Sequence, residues 1–298
     1  MSTAFIFPGQ GGQFIGQGRA WAERDPQLKE VFDLADEISG LPVSKLCFEG
    51  PMEELSKTRN LQPAVLSVSL AALRLMRAKG LKPAFAAGHS LGEFGALVAA
   101  EVIDEKSALR LVSKRALIMD EVAAKNPGSM MAVIGLAAED LESICELARN
   151  EGVLVMANFN TPEQTVISGE SRAVAAAGKY IKMKSGRAIA LPVSGGFHSQ
   201  LMAEASRRFA DELDKVEFNK PVCRLVPNST GELTDDPVLI KDKLKIQISF
   251  PVLWTKTMEN LLAAGADEFV EAWPKAYLGS MVKKCLPKGS PIAVTFTE

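Results

Sequence analysis

Residues 84–93 read Ala84-Phe85-Ala86-Ala87-Gly88-His89-Ser90-Leu91-Gly92-Glu93, and their order decides the fold. Ala84 to Ala87 form a short apolar run behind Lys82-Pro83, which predicts a buried strand. Leu91 to Val102 is rich in Leu, Ala, Glu and Val, which predicts a helix. The G-x-S-x-G pattern between them is that of a nucleophile elbow, a sharp strand-to-helix turn that exposes a serine hydroxyl. Ser90 then stands at a helix N-terminus, where free N–H groups and the positive dipole end favour an oxyanion. A serine at that position also serves as a helix cap, and the pattern alone does not separate the two roles.

A serine hydroxyl is a poor nucleophile until a neighbouring group takes its proton, and imidazole is the usual acceptor. The chain holds only two histidines. His89 adjoins Ser90 on a sharp turn, so the two side chains diverge. His198 is the one histidine free to reach Ser90 from elsewhere in the fold.

Asp104 to Val122 predicts the next helix. At roughly 100° per residue, Ala108, Leu111, Val112, Ile118, Met119 and Val122 lie within about 60° of Arg115, while Arg110, Ser113, Lys114, Asp120 and Glu121 fall on the opposite side. An arginine inside an apolar stripe has to find an anion, because an unpaired buried charge is too costly. That anion is either an Asp or Glu of a neighbouring element or a ligand; for a ligand carboxylate the planar fork offers bidentate binding.

Ala4-Phe5-Ile6-Phe7 predicts a buried strand, followed by the glycine-rich turn Pro8-Gly9-Gln10-Gly11-Gly12-Gln13. Such a turn either presents backbone N–H groups to an anion or simply connects two elements. It is not a dinucleotide fingerprint, since Phe14 stands where G-x-G-x-x-G needs glycine, and no phosphate-binding G-x-x-x-x-G-K-[ST] occurs.

The middle of the chain predicts a separate unit. Ser129 to Leu136 reads as a strand, Glu139 to Arg149 as a helix, Val153 to Asn158 and Gln164 to Ser168 as strands, Arg172 to Met183 as a helix, and Ala188 to Val193 as a closing strand. The order βαββαβ is the ferredoxin-like arrangement. The fold class is therefore α/β: residues 1–125 and 195–298 form a parallel-sheet, α/β-hydrolase-like core, and residues 126–194 an inserted ferredoxin-like subdomain. His198 lies just past the insertion, at a seam of the kind where ligand clefts are common.

Taken together, these motifs resemble the malonyl-CoA:acyl carrier protein transacylases and the acyltransferase domains of polyketide and fatty acid synthases, almost end to end. Phe7-Pro8-Gly9-Gln10-Gly11 is similar to the family's opening motif, and Gly88-His89-Ser90-Leu91-Gly92-Glu93 to its nucleophile motif. Arg110-Leu111-Val112 leading to Arg115 is similar to its carboxylate-binding helix, Pro192-Val193-Ser194 with Phe197-His198 to its base motif, and Gln247 before Pro251-Val252-Leu253-Trp254 to its late segment. The resemblance implies a Ser90–His198 dyad and an oxyanion hole made by the N–H groups of Gln10 and Leu91. It implies a backbone carbonyl near Gln247 orienting the imidazole in place of an aspartate. Arg115 would clamp a malonyl carboxylate, with Phe197 and Gln247 on the substrate side. The implied activity is transfer of malonyl from malonyl-CoA to the phosphopantetheine thiol of an acyl carrier protein, in fatty acid or polyketide synthesis, with no cofactor or metal. An acyl hydrolase of the same fold and a non-catalytic carrier-docking protein are the rival readings.

The chain departs from the family where a glycine-proline-glycine turn usually follows the last core strand. Here Phe269-Val270-Glu271-Ala272 runs into Trp273-Pro274-Lys275-Ala276. Trp273 and Lys275 either narrow the acyl channel or belong to a rebuilt surface loop with an exposed lysine.

At 298 residues, with 47% hydrophobic and 23% charged content, the chain can bury a large core. A net charge of −2 argues against a nucleic-acid binder. No apolar run spans a bilayer and the first residues lack signal-peptide order, so a cytoplasmic protein, monomeric by default, is expected. Cys47, Cys145, Cys223 and Cys285 are scattered and predict reduced thiols rather than zinc ligands or disulfides. Lys179, Lys182, Lys184 and Arg187, and separately Lys283, Lys284 and Lys288, form basic clusters that are either solvated faces or docking sites for an acidic carrier protein or the phosphates of CoA.

Overall fold

The nine strands among the described residues are β1 (Thr3–Phe7), β2 (Phe85–Gly88), β3 (Ser129–Ile134), β4 (Leu154–Thr161), β5 (Gln164–Gly169), β6 (Arg187–Ala190), β7 (Arg224–Val226), β8 (Glu268–Glu271) and β9 (Ala293–Phe296), in a computed structural model that describes residues 2–297. They form two sheets. The core sheet has the order β7-β2-β1-β8-β9, with every pair parallel. The small sheet has the order β4-β5-β3-β6, all antiparallel, which is the ferredoxin-like order for a βαββαβ unit.

Period-two alternation explains how the core sheet is covered on both faces. Phe5 and Phe7 of β1 enter one hydrophobic cluster, with the helices Thr58–Ala78 and Glu105–Lys125. Ala4 and Ile6 enter the other, with the helices Trp254–Ala263 and Leu278–Cys285. A third cluster, including Val133, Ile144, Leu154, Ile167 and Ile181, packs the small sheet onto its own two helices.

Because the core strands are parallel, their carboxyl ends converge on one edge, where ligands bind in open α/β sheets. The turn after β1 carries Gln10, that after β2 carries Ser90, that after β7 carries Asn228, and that after β8 leads to Tyr277. The two sheets are stitched together: the Phe159 N–H donates to the Val252 carbonyl at 2.9 Å, and the Val252 N–H to the Ala157 carbonyl at 2.8 Å.

Three expectations need adjustment. The predicted helix from Leu91 to Val102 is a 3₁₀ turn over Ser90–Gly92 followed by a short helix, Glu93–Ala99. The strand ending at Glu271 is not the last of the core, because β9 pairs in parallel beside it. Trp273 is fully buried in the core cluster containing Phe5 and Phe7 rather than lying in a surface loop, whereas Lys275 is exposed and holds its Nζ 3.7 Å from the Phe14 ring centroid. No helix among the described residues is long and apolar enough to cross a membrane.

Candidate active site

The elbow is tight because glycine permits close approach on both sides of it. A side chain at Gly88 would fall on the Gly92 carbonyl, and one at Gly92 on the Phe7 carbonyl. Ser90 itself adopts a left-handed backbone conformation, φ 51°, a strained state for a non-glycine residue that aims its hydroxyl out of the turn. Asn228 braces the turn from β7. Its Oδ1 accepts the Ser90 N–H at 2.6 Å and its Nδ2 donates to the Gly88 carbonyl at 2.6 Å.

His198 Nε2 lies 2.8 Å from Ser90 Oγ. Its Nδ1 faces only acceptors, the carbonyls of Gln247 and Phe250, each at 3.0 Å. Nδ1 therefore carries the proton and Nε2 offers its lone pair to the serine hydroxyl, so two carbonyls do the orienting work often given to an aspartate. The backbone holds the ring in place: His198 is also left-handed, φ 59°, and its N–H donates to the Ile248 carbonyl at 2.9 Å. Burial, and then the nearby Arg115 charge, push the imidazole down to about 3, so it is neutral at physiological pH.

Arg115 is buried, as the helical pattern requires, and the other stripe residues are buried with it. Among the described residues no carboxylate contacts it directly; the nearby Glu93 favours its charge from behind Gln247. Nη1 donates to Gln62 Oε1 at 2.6 Å; Nη2 donates to Gln247 Oε1 at 2.9 Å and reaches Ser90 Oγ at 3.4 Å; Nε has no partner. Burial drives Arg115 down to about 10, still cationic near neutrality. A cation held by neutral amides, with a donor to spare, can take an anionic ligand.

A cavity of about 400 Å³ joins these groups. Gln10, Ser90, Leu91, Arg115, Phe197 and His198, all picked out in the sequence, line it. Neither the Gln10 nor the Leu91 N–H donates to a protein acceptor among the described residues, which leaves both available to an oxyanion. Gln247 stands behind the wall rather than on it: besides Arg115, its amide serves the Ser90 carbonyl at 2.8 Å and Glu93 Oε2 at 2.9 Å. Trp273 and Lys275 do not line the cavity; Tyr277, Leu278 and Met281 of the following segment do.

Sequence reasoning passed over four contributors. Gln62 interrupts an apolar stretch of helix, the same signal that marked Arg115. Glu93 follows the elbow motif directly, where an acidic residue at a helix start is ordinary. It is fully buried and its carboxyl is pushed up to about 7 by burial. Asn160, whose Oδ1 lies 2.8 Å from His89 Nε2, and Asn228 break no periodic pattern; topology alone brings them in. His89 diverges from the dyad as expected, packing against Trp254 with 5.6 Å between ring centroids.

The acyl transferase domain model matches residues 4–295. The malonyl CoA-acyl carrier protein transacylase of Bacillus subtilis (strain 168) is 40% identical over 297 residues, covering 99% of this chain and 94% of its own. The crystal structure of an acyl carrier protein S-malonyltransferase from Vibrio cholerae superposes with a TM-score of 0.93 at 37% identity, covering 100% of this chain and 97% of that one. A malonyl-transacylase solved in complex with its type II PKS acyl-carrier protein gives a TM-score of 0.93 at 35% identity, covering 99% and 95%. With an elbow serine, a carbonyl-oriented histidine and a carboxylate-free arginine on one cavity, and with these likenesses over nearly its whole length, the chain belongs to the acyl transferase domain family, alongside the malonyl CoA-acyl carrier protein transacylases.

Proposed function

We propose that this protein transfers malonyl from malonyl-CoA to the phosphopantetheine thiol of an acyl carrier protein through a malonyl-Ser90 ester. The observation that carries the reading is Arg115, a buried cation with no carboxylate in direct contact among the described residues, in the same cavity as the Ser90–His198 pair and 3.4 Å from Ser90 Oγ.

As the Ser90 Oγ–carbonyl bond forms, His198 Nε2 takes the hydroxyl proton and the carbonyl π electrons move onto oxygen. The N–H groups of Gln10 and Leu91 receive that oxyanion, the donor after the nucleophile being what elbow geometry supplies. Collapse breaks the carbon–sulfur bond, and the proton on His198 leaves with the CoA thiol. The carrier thiol then enters by the reverse steps, with His198 as base a second time. A malonyl carboxylate on Arg115 offsets the positive charge that holds the imidazole down, so bound substrate makes His198 a stronger base. Phe197, buried at the cavity wall, limits the room beside the acyl group and favours malonyl over branched acyl groups.

The reaction needs no cofactor beyond the CoA thioester itself. The protein acts as a cytoplasmic monomer, in fatty acid or polyketide synthesis. For carrier docking, the cluster of Lys283, Lys284 and Lys288 is favoured, since Lys283 and Lys284 share a helix with Leu278 and Met281, which line the cavity, whereas Lys184 is engaged by Asp140 at 3.6 Å. Reversing Lys283 and Lys284 raises KM for carrier protein; an unchanged KM would exclude the cluster.

The decisive test is intact-mass spectrometry of the protein mixed with malonyl-CoA, with acetyl-CoA and Ser90→Ala as controls. A single malonyl adduct that requires Ser90 and discharges onto holo carrier protein is expected. Steady release of free CoA without an adduct would instead mean a hydrolase, and no reaction at all a docking protein.

A further inference from the structure

The Gln10 turn is glycine-rich and belongs to neither a strand nor a helix, so little of its own structure fixes where the Gln10 N–H points. Among the described residues its polar anchors are the Gly11 N–H to Gln13 Oε1, 2.8 Å, and the Tyr277 hydroxyl donating to the Gln10 carbonyl, 3.1 Å. The Tyr277 ring also covers the turn: a Cβ at Gly12 would stand 2.8 Å from Tyr277 Cγ, and one at Gly11 would fall on the hydroxyl. These two glycines are thus the imprint of the tyrosine.

Tyr277 is itself held firmly. The Glu271 carboxylate, at the carboxyl end of β8, accepts the N–H groups of Tyr277 at 3.0 Å, Leu278 at 2.8 Å and Gly279 at 2.9 Å. Three residues before the helix Leu278–Cys285 begins, Lys275 closes over Phe14, so the 273–277 segment grips the 10–14 turn at two points. β1 and β8 are neighbours in the sheet, and the clasp joins the loops that leave their carboxyl ends. Burial raises the Tyr277 phenol above its ordinary range and keeps it a donor near neutral pH.

We propose that Tyr277 is a positioning residue for the oxyanion site, fixing the Gln10 backbone through its hydroxyl so that the Gln10 N–H is aimed before substrate arrives. This rests on the reading of Gln10 as an oxyanion donor. Deleting such a donor outright costs on the order of 10²–10³ in rate, so loosening one corresponds to a loss of about tenfold.

The test is Tyr277→Phe, which removes one oxygen. Expected are a rate of Ser90 malonylation about tenfold lower, KM for malonyl-CoA within about twofold, and an equal slowing of Ser90 phosphonylation by a small neutral alkyl fluorophosphonate, whose oxyanion uses the same donors but not Arg115. Amide hydrogen exchange should accelerate in the 8–14 peptide and not in the helix Glu105–Lys125; that readout holds even if the variant is less stable. An unchanged malonylation rate, a loss confined to KM, or unaltered exchange in the 8–14 peptide would overturn the proposal. Failure of the wild-type protein to form any Ser90 ester would overturn the parent reading instead.

Discussion

Gln62 Oε1 stands 2.6 Å from Arg115 Nη1, in the position where a buried arginine ordinarily meets a carboxylate. A neutral partner orients the guanidinium without cancelling its charge. Two substitutions separate these effects. Arg115→Ala is expected to reduce malonyl transfer by at least about 10²-fold while transfer of an uncharged acyl group persists, in keeping with the worth of a charge-assisted bidentate contact. Gln62→Glu leaves Arg115 in place but supplies it with an internal anion; KM for malonyl-CoA should rise at least about tenfold with little change for acetyl-CoA. Steady-state kinetics with both donors decides. An equal loss for the two donors in Arg115→Ala would make the arginine purely structural.

The pH dependence of the activity follows from the His198 environment. With the imidazole held down to about 3, the acid limb of kcat/KM lies well below the 6.5 of a free imidazole, and the rate is flat from about pH 6 to pH 8. Since Arg115 is the second cause of that depression, Arg115→Ala moves the acid limb toward neutrality when it is measured with an uncharged acyl donor.

Stability carries a second pH signature. Between about pH 3 and 6.5 the unfolded chain binds a proton on His198 that the folded protein lacks, so this group destabilises the fold as pH falls. Glu93, raised from 4.5 to about 7, works oppositely: the folded state holds the extra proton, and that contribution is lost as pH rises through the same range. From pH 4.5 to 6.5 the two slopes, each about 1.4 kcal/mol per pH unit at most, cancel. Glu93→Gln removes one of them. Its Tm relative to wild type should climb across this interval, and a constant difference would mean that Glu93 titrates normally.

Asn228 ties both sides of the elbow. Asn228→Ala leaves the Gly88 carbonyl buried without its donor, at a cost of about 1–3 kcal/mol, and lets Ser90 drift from His198. A loss in kcat on the order of 10²-fold is expected, the usual effect of a displacement near 1 Å. Asn228→Asp should not rescue it, because the restored acceptor for the Ser90 N–H places a carboxylate oxygen against the Gly88 carbonyl. Wild-type kinetics in either variant would remove Asn228 from the site.

Trp273 is fully buried and away from the cavity, and its indole Nε1 has no partner. Trp273→Gly, which restores the family's first glycine, should therefore cost about 3–5 kcal/mol in stability and leave the malonyl-to-acetyl preference unchanged. Thermal denaturation and donor competition measure the two halves. A shift in preference with stability intact would reverse the assignment.

What the sequence made legible was whatever broke a local pattern. Ser90 announced itself through glycines at fixed spacing, His198 through scarcity, and Arg115 through a charge in an apolar stripe. The small sheet was legible because its six elements are consecutive and bounded by turn residues. Asn228 was hidden, since an amide in a turn is ordinary until parallel strands bring four distant loops to one edge, and Asn160 because nothing in strand β4 shows that it faces His89, just after β2 of the other sheet. Trp273 was misleading for a related reason: a large residue in place of glycine reads as an obstruction, and only packing shows which way it points. The 3₁₀ turn at Ser90–Gly92 escaped because it depends on how closely Gly92 approaches β1, a distance no propensity encodes.

The chain reaches His198 directly from the small sheet, yet every bond that orients the imidazole ends on backbone between Gln247 and Phe250, within the larger body that carries Ser90. Met130, Ala132 and Val166, from the small sheet, supply only wall to the cavity. The reacting pair therefore rests on the larger body alone, whereas the wall around the acyl group is shared, Arg115 and Phe197 coming from that body and these three residues from the small sheet. Substitutions in that wall can retune which cargo fits while the nucleophile and its base keep their spacing, so new substrate preferences are open to this architecture by single steps that leave its chemistry running.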